Sequence, residues 1–450
     1  MCSRATDRSR RLPLRALLSA VVGILLAGAA PAAADQPPAP GTYVPGEVIV
    51  RYETGTVQAT QSSVESGTGT QAVGALPGGT TQLEVADGES VAETISELHA
   101  DPRVAYAVPN YVARASALPN DPGFLLQWNF AGPFGINMPE AWELARRRGA
   151  PGGRGAIVAV LDTGVAYRKF GPFRRAPDLR SFVRGYDFVD GDRYPLDLNG
   201  HGTHVAGTIA EATNNRIGAA GIAPGAQIMP VRTLDRFGGG DAVTVAGGIR
   251  YAVRHHADVI NMSLEFPAFV NSGDIPDVVS AIRFARRHGV VVTAVAGNEA
   301  STSVVPYPGR APGVIAVAAT TERGCKAEYS NAGAAVDVAA PGGGPDAALS
   351  DDPWDLAHCQ PGVDGASVYQ QTFDGDPAHF ALPSGYFGTS MASPHVAGLA
   401  ALIIASKRLG RHPRPGAVER LIERTARDAG PAGFDIRYGH GLIDAAAALR

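Results

Sequence analysis

Gly388-Thr389-Ser390-Met391-Ala392-Ser393-Pro394-His395-Val396-Ala397-Gly398 is a run of small residues that carries one serine into an apolar segment reaching about Ile404. The pattern reads as a tight turn entering a buried helix, with Ser390 in its first turn. A hydroxyl there lies beside backbone N–H groups without intrahelical acceptors, at the positive end of the helix dipole. Such surroundings favour negative charge developing next to a nucleophile. Taken alone, a Gly-Thr-Ser before a helix is more often an ordinary cap. A serine hydroxyl also needs a base, and a group that orients the base, before it attacks anything. The chain supplies both upstream, in Val158-Ala159-Val160-Leu161-Asp162-Thr163-Gly164 and in Asn199-Gly200-His201-Gly202-Thr203-His204-Val205-Ala206-Gly207. In chain order the three segments offer a carboxylate, an imidazole and a hydroxyl.

Each role follows from ordinary chemistry. His201 has the pKa range to take a proton from Ser390 near neutral pH and return it to a leaving amine. Asp162 would fix the imidazole tautomer and stabilise the imidazolium. His204, three residues on and near the same helical face, competes for the base role. The two histidines lack a third ligand or a His-Glu-x-x-His phrase, so the pattern does not suit zinc. The three segments together resemble the subtilisin-type serine protease family, and the matching blocks run from about Asn120 to the end of the sequence. That resemblance implies a base at the first histidine of His-Gly-Thr-His, leaving His204 to packing. It also implies that the Asn298 side-chain amide, in Ala296-Gly297-Asn298, donates to an oxyanion beside the Ser390 N–H; from the residues alone, Asn298 only marks a turn after a strand.

From Gly155 onward, apolar strands alternate with helical stretches. Strands are predicted at Ala156–Leu161, Gln227–Val231, Asp258–Ser263, Val290–Ala296 and Val314–Ala319. Helices are predicted at Gly202–Ala212, Ala242–His255, Ile275–His288, Ser390–Ser406 and Ala417–Arg427. Continuous apolar strands joined by helices imply an α/β fold, a mostly parallel sheet covered on both faces. Sites in such sheets lie beyond the carboxyl ends of strands, where Asp162 and Asn298 fall. Substrate backbone is expected between Ser263-Leu264 on one side and Gly238-Gly239-Gly240 on the other, with Gly297 beneath. Glycines permit close approach of an extended peptide added as a strand. No Gly-Lys-Ser/Thr follows that glycine run, so a phosphate loop is a poor reading.

The chain starts with five arginines, an apolar run from Ala16 to Ala30 and then Ala32-Ala33-Ala34. This is the plan of a secretory signal peptide over residues 1–34, too short and glycine-broken for a membrane span. Residues 35–117 hold ten acids against Arg51, Arg103 and Arg114, while 118–450 is close to neutral. No overall basic field points to nucleic acid or to an anionic membrane. The acidic segment shows strand Glu47–Tyr52, helix Ser90–His99 and strand Val104–Val108, closed by Pro109-Asn110. It resembles the small α+β propeptide that precedes catalytic domains of the family, which aids folding and acts as an inhibitor. A permanent N-terminal domain is the alternative. Residues 118–450 would then form the peptidase domain, with no further domain after the closing phrase Tyr438–Ala445. Self-cleavage is expected between Ala113 and Pro119, most favourably before Leu118.

Two departures from the family pattern stand out. Where relatives commonly carry Ser-Leu-Gly-Gly, this chain has Ser263-Leu264-Glu265-Phe266. Glu265 either tunes the pocket toward Lys or Arg before the cut or faces solvent. The stretch from Pro341 to Gly388, an insertion over about 342–387, reads as a surface hairpin, either a lid or a tolerated insertion. The resemblance also implies calcium, with Asp121, Asp178 and Asn215 as side-chain ligands and Ala212, Ile217 and Ala219 as carbonyl ligands. Asp187, Asp190 and Asp192 suggest a weaker second site. Cys325 and Cys359 remain after the signal is lost and can form one bridge, or stay as free thiols. The expectation is a secreted, monomeric serine endopeptidase made as a self-processing zymogen, acting on protein and peptide substrates. A selective processing protease and an inactive secreted peptide-binding protein are the rival readings.

Overall fold

The computed structural model describes residues 43–76, 78–86, 90–111, 118–349, 353–373 and 375–450. The predicted signal segment and cleavage stretch 113–117 lie outside these residues. The chain divides into two compact units, Met1–Ala115 and Ser116–Arg450.

In the first unit, β1 (Tyr43–Tyr52), β2 (Thr70–Leu76), β3 (Thr80–Val85) and β4 (Val104–Tyr111) form an antiparallel sheet ordered β2-β3-β1-β4. Alternate residues Val48, Val50 and Tyr52 of β1 are buried with Leu83, Leu98 and Ala107 in one small core. Helix Val91–Ala100 begins where the Ser90 hydroxyl accepts the Glu93 N–H at 3.1 Å and donates to its carboxylate at 2.6 Å. That cap satisfies one of the backbone donors a helix start otherwise leaves open. Sequence reasoning missed helix Gln58–Gly67 and strands β2 and β3, whose polar, glycine-bearing residues give weak alternation. It also ended the last strand too early. β4 runs through Pro109 because β4 is an edge strand, which tolerates proline.

The second unit is built on a parallel sheet of seven strands: β5 (Ile157–Asp162), β6 (Tyr186–Asp187), β7 (Gln227–Arg232), β8 (Val259–Met262), β9 (Val291–Val295), β10 (Ile315–Thr320) and β11 (Val338–Pro341). Their order is β11-β10-β9-β8-β5-β7-β6. Side-chain alternation on β5 separates two cores. Val158 and Val160 share one with Val205, Val396 and Leu399, from helices His201–Ala210 and Thr389–Ala405. Ala159 and Leu161 share the other with Ile249 and Ile282, from helices Ala242–Arg254 and Pro276–Arg287. Each fully buried Val or Leu contributes roughly 1.5–3 kcal/mol, so the two-faced apolar pattern fixes the register of β5. The chain leaves β5 toward β6 and β7 on one side and reaches β8 on the other. Asp162 therefore ends its strand at a crevice where strand order reverses.

The insertion departs from expectation. Its Val368–Phe373 segment is not a surface hairpin but runs buried through the unit. The Trp128 indole N–H donates to Ser367 O at 3.0 Å, and the Thr372 hydroxyl donates to Gly200 O at 2.5 Å. Cys325 and Cys359 are joined in a disulfide, with Cα atoms 5.7 Å apart, tying the insertion to the β10–β11 connection. Among the described residues, no helix is long and apolar enough to cross a membrane.

Candidate active site

Helix Thr389–Ala405 is buried nearly all round, so its position is set by the core on every side. Pro394 sits inside it and has no N–H, which leaves the carbonyl of Ser390 without its intrahelical donor. The Ser263 hydroxyl supplies the missing bond at 2.9 Å. Ser263 is held in turn by Asn261 Nδ2 at 3.0 Å, while Asn261 Oδ1 accepts from Ser393 at 2.8 Å and Thr293 at 3.1 Å. A buried polar network thus locks the first turn of this helix onto the ends of β8 and β9. The Ser390 Oγ also meets Ser263, donating to its carbonyl O at 3.4 Å.

The carboxylate and imidazole come from elements joined to β5. Asp162, at the end of that strand, is fully buried, and its Oδ1 lies 2.7 Å from His201 Nδ1. Because a carboxylate only accepts, Nδ1 carries the proton and Nε2 is left for other chemistry. Burial disfavours the imidazolium, but the charge and hydrogen bond of Asp162 outweigh it, so His201 titrates above its ordinary value. His201 begins its helix after Gly200, whose φ of 103° a side chain would strain. Buried Asp197 organises that turn, accepting from the backbone N–H groups of Asn199 and Gly200 at 2.9 Å each and from both Thr203 donors. His204 faces the interior instead. It stacks on Tyr386 at 4.2 Å, its Nε2 lies 2.9 Å from Val368 O, and burial holds its pKa down to about 3.

Asn298 follows β9, and its Oδ1 accepts from both the Thr389 N–H and hydroxyl at 2.9 Å. A backbone N–H can only donate, so this contact fixes which end of the amide is oxygen and turns Nδ2 away from Thr389. His201, Ser390 and Asn298 line one cleft of about 490 Å³, together with Ser263, Leu264, Glu265 and Gly238–Gly240. A hydroxyl, an imidazole backed by a buried carboxylate, and an amide donor in one cleft suit acyl transfer.

Residues 153–441 match the model of the Subtilase family. The chain belongs to the subtilase family. Residues 29–110 of this subtilase match a fervidolysin N-terminal prodomain. It is 36% identical over 400 residues to the thermophilic serine proteinase of Bacillus sp. (strain AK1), covering 89% of this chain and 86% of that protein. It is 38% identical over 309 residues to thermitase of Thermoactinomyces vulgaris, covering 68% and 91% respectively. A solved protease structure from Pseudoalteromonas arctica, 35% identical, superposes with a TM-score of 0.59 over 74% of this chain and 99% of that one. The subtilase is a serine endopeptidase with a prodomain.

Around the cleft of this subtilase, Gly238 has a φ of 82° with no neighbour near its missing Cβ, and Asp235 Oδ1 pins the turn through Phe237 and Gly239 N–H groups. Gly297, expected to bind substrate, is not among the cleft's lining residues; a Cβ there would meet the Asn331 amide, Glu265 Oε2 at 2.7 Å and Glu299 Oε2 at 2.9 Å. Glu265 is pushed up to about 7 by burial and by the Glu299 carboxylate beside it. Glu299, which sequence reasoning did not single out, is held by the Asn331 amide at 2.5 Å.

The residues assigned to calcium are also brought together. Asp121 accepts from the N–H groups of Asn214 at 2.7 Å and Asn215 at 2.8 Å. Asp178 accepts from Asn215 Nδ2 at 2.5 Å and from Ala219 N–H at 3.3 Å. Ala212 N–H bonds to Asp178 O at 2.9 Å, and Ile217 N–H to Asn215 Oδ1 at 2.8 Å. Burial pushes Asp178 up to about 6, with the Asp121 charge adding to it. Glu211, unforeseen, is fully buried nearby; burial and the Asp178 charge raise it well above the carboxylate range. One Glu211 oxygen has no hydrogen-bond partner, while the other accepts from Gln371 N–H at 2.5 Å. The second acidic turn is a correction. Asp187 and Asp190 both bind the Arg232 guanidinium, at 2.8 and 2.5 Å, and Asp192 accepts from Tyr194 N–H at 2.7 Å. Arg232 already supplies the positive charge there.

Proposed function

We propose that this subtilase is a secreted endopeptidase in which Ser390 attacks the scissile carbonyl and His201 is the general base. The supporting observation is the 2.7 Å Asp162–His201 contact behind the same cleft that Ser390 and Asn298 line. The Ser390 hydroxyl turns from Ser263 O toward His201 Nε2 as substrate enters; such bonds commonly tighten only in the complex. His201 takes the proton, Asp162 holds the imidazolium, and His201 then delivers the proton to the departing amine. The tetrahedral oxyanion sits between Asn298 Nδ2 and the Ser390 N–H, which has no intrahelical acceptor. Substrate backbone lies along Ser263-Leu264 and Gly238-Gly239. Glu265, with Glu299 over Gly297, selects Lys or Arg before the cut.

Calcium suits the Asp121–Asp178 cluster because buried carboxylates need a cation, and the Glu211 oxygen without a partner marks the same deficit. Asp121, Asp178 and Asn215 side chains and the carbonyls of Ala212, Ile217 and Ala219 would hold it. The ion would supply structural charge neutralisation and take no part in the chemistry. The Asn215 amide now places its positive end against Asp178, standing in for that charge.

Residues 35–117 are removed by self-cleavage between Ala113 and Pro119 after export. Labelling of the full chain with a fluorophosphonate, followed by peptide mapping and N-terminal sequencing, tests the whole reading. Label on Ser390, and an active form beginning between 114 and 119, are expected. Label elsewhere would overturn the nucleophile, and an active protein starting at Asp35 would overturn self-maturation alone.

A further inference from the structure

At the opposite end of the sheet from the cleft lies a second cavity, of about 940 Å³. The cleft residues follow the carboxyl ends of strands, whereas this cavity is lined by Asp258, just before β8, and Val290, just before β9. Six arginines reach it: Arg254, Arg286, Arg287, Arg411, Arg414 and Arg420. One carboxylate, Asp258, lines it with them, while Glu419 and Glu423 lie outside the lining beside Arg286 and Arg420. Asp258 is turned inward to the Ile157 N–H at 2.9 Å, and Glu419 pairs with Arg286 at 3.0 Å. Among the described residues, the other five arginines have no ion pair.

Helix electrostatics explain only part of this. Arg254 and Arg287 occupy last turns of their helices, where cations are favoured. Arg414 sits at the start of helix Pro415–Thr425 and Arg411 precedes it, so the dipole opposes both, while Arg420 lies mid-helix, where the dipole neither favours nor opposes it. At its Gly416, a Cβ would lie 3.3 Å from Arg420 Nη1, 3.4 Å from Arg286 Nη2 and 3.9 Å from Glu419 Oε2, so two guanidinium groups converge there on one carboxylate. Like charges gathered across one cavity repel, and an anion there removes the repulsion. Guanidinium forks match phosphate oxygens in pairs, and a concave site suits a compact ligand better than an extended strand.

We propose that this cavity is a binding site for a compact oligophosphate, separate from the proteolytic cleft. The test uses the full chain carrying Ser390→Ala to prevent self-digestion, with calorimetric titration of tripolyphosphate, orthophosphate and a short DNA oligonucleotide. Tripolyphosphate should bind about tenfold or more tighter than orthophosphate and weaken steeply as salt rises. The triple variant Arg411→Glu, Arg414→Glu, Arg420→Glu should lose about tenfold or more in affinity, while Arg283→Glu, on the same surface helix as Arg287, should change it by less than about twofold. Arg254→Glu serves if the triple variant does not fold, and should weaken binding by several-fold. Equal affinity for the two phosphates, unchanged binding in the charge-reversed variants, or preference for the oligonucleotide at equal phosphate would overturn the proposal. Peptide hydrolysis in the Ser390 background should be unaltered by these arginine changes.

Discussion

Asp162 and Asp178 are both fully excluded from water, yet only Asp162 hydrogen-bonds a group that can become a cation. At the cleft, His201 answers the Asp162 carboxylate, and neighbouring Asp197 is surrounded by backbone and hydroxyl donors. Around the 211–219 loop, Asp121, Asp178 and Glu211 lie together with amide donors only; burial pushes Asp178 and Glu211 up, as it does Asp197, and the neighbouring carboxylates add to it. The difference teaches that two equally buried carboxylates can be answered in different ways. On the proposed reading, the cleft carboxylate prepares a proton acceptor, and the loop carboxylates are answered by a bound ion.

Of the two kinds of charge, removing the first has the larger expected effect. Asp162→Asn should lower kcat by about 10⁴-fold while leaving the protein folded, because an amide presents the wrong partner to His201 Nδ1. Steady-state hydrolysis of a peptide alongside circular dichroism checks this; a loss below about tenfold would break the comparison. Removing the proposed ion comes next. Chelation should destabilise the protein by about 4 kcal/mol if calcium normally stands ~1,000-fold above its Kd. A thermal midpoint unmoved by chelator, with no calcium by metal analysis, would mean that the buried cluster is satisfied in another way.

The pH profile sharpens the contrast. With His201 as the proposed neutral base and its pKa raised above 6.5 by Asp162, kcat/KM should fall about tenfold per pH unit below an inflection above that value. The same raised pKa makes the Asp162–His201 contact contribute stability below pH 6.5 that is lost as pH rises through the folded value. An inflection below 6.5 would show that burial, not Asp162, dominates. The smallest effect concerns selectivity. Glu265→Gly should reduce the preference for Lys or Arg before the cut by up to about tenfold. An unchanged cleavage profile on a peptide library would place the recognition elsewhere.

Much of this architecture was legible because it depends on local pattern. Apolar runs such as Val158–Leu161 and Val291–Val295 announce strands buried on both faces, and glycine-flanked polar residues at their ends mark the cleft. The parts that were not legible depend on partners distant in sequence. Nothing near Asp187 reveals that Arg232, on the adjacent strand, neutralises its turn. The glycine- and acid-rich insertion looks like a surface loop, yet Val368–Phe373 threads beneath the His201 helix. Glu211 reads as a helix-end acid and proves buried, with Gln371 of that insertion as its donor. Short β6, two residues long, and β11 carry too little pattern to be read alone. The cluster of basic residues at the amino end of the sheet is hidden in the near-neutral total for residues 118–450.

The central claim is that Ser390, His201 and Asp162 act as one unit, and a mutant cycle tests it most directly. Peptide kcat is measured for Ser390→Ala, His201→Ala, and the triple replacement of Asp162, His201 and Ser390 by Ala, with folding verified for each. Either single change should cost nearly as much as all three, about 10⁶-fold, the scale established for a subtilisin of this same family. Losses that multiply from one replacement to the next, or full activity in His201→Ala, would contradict the account.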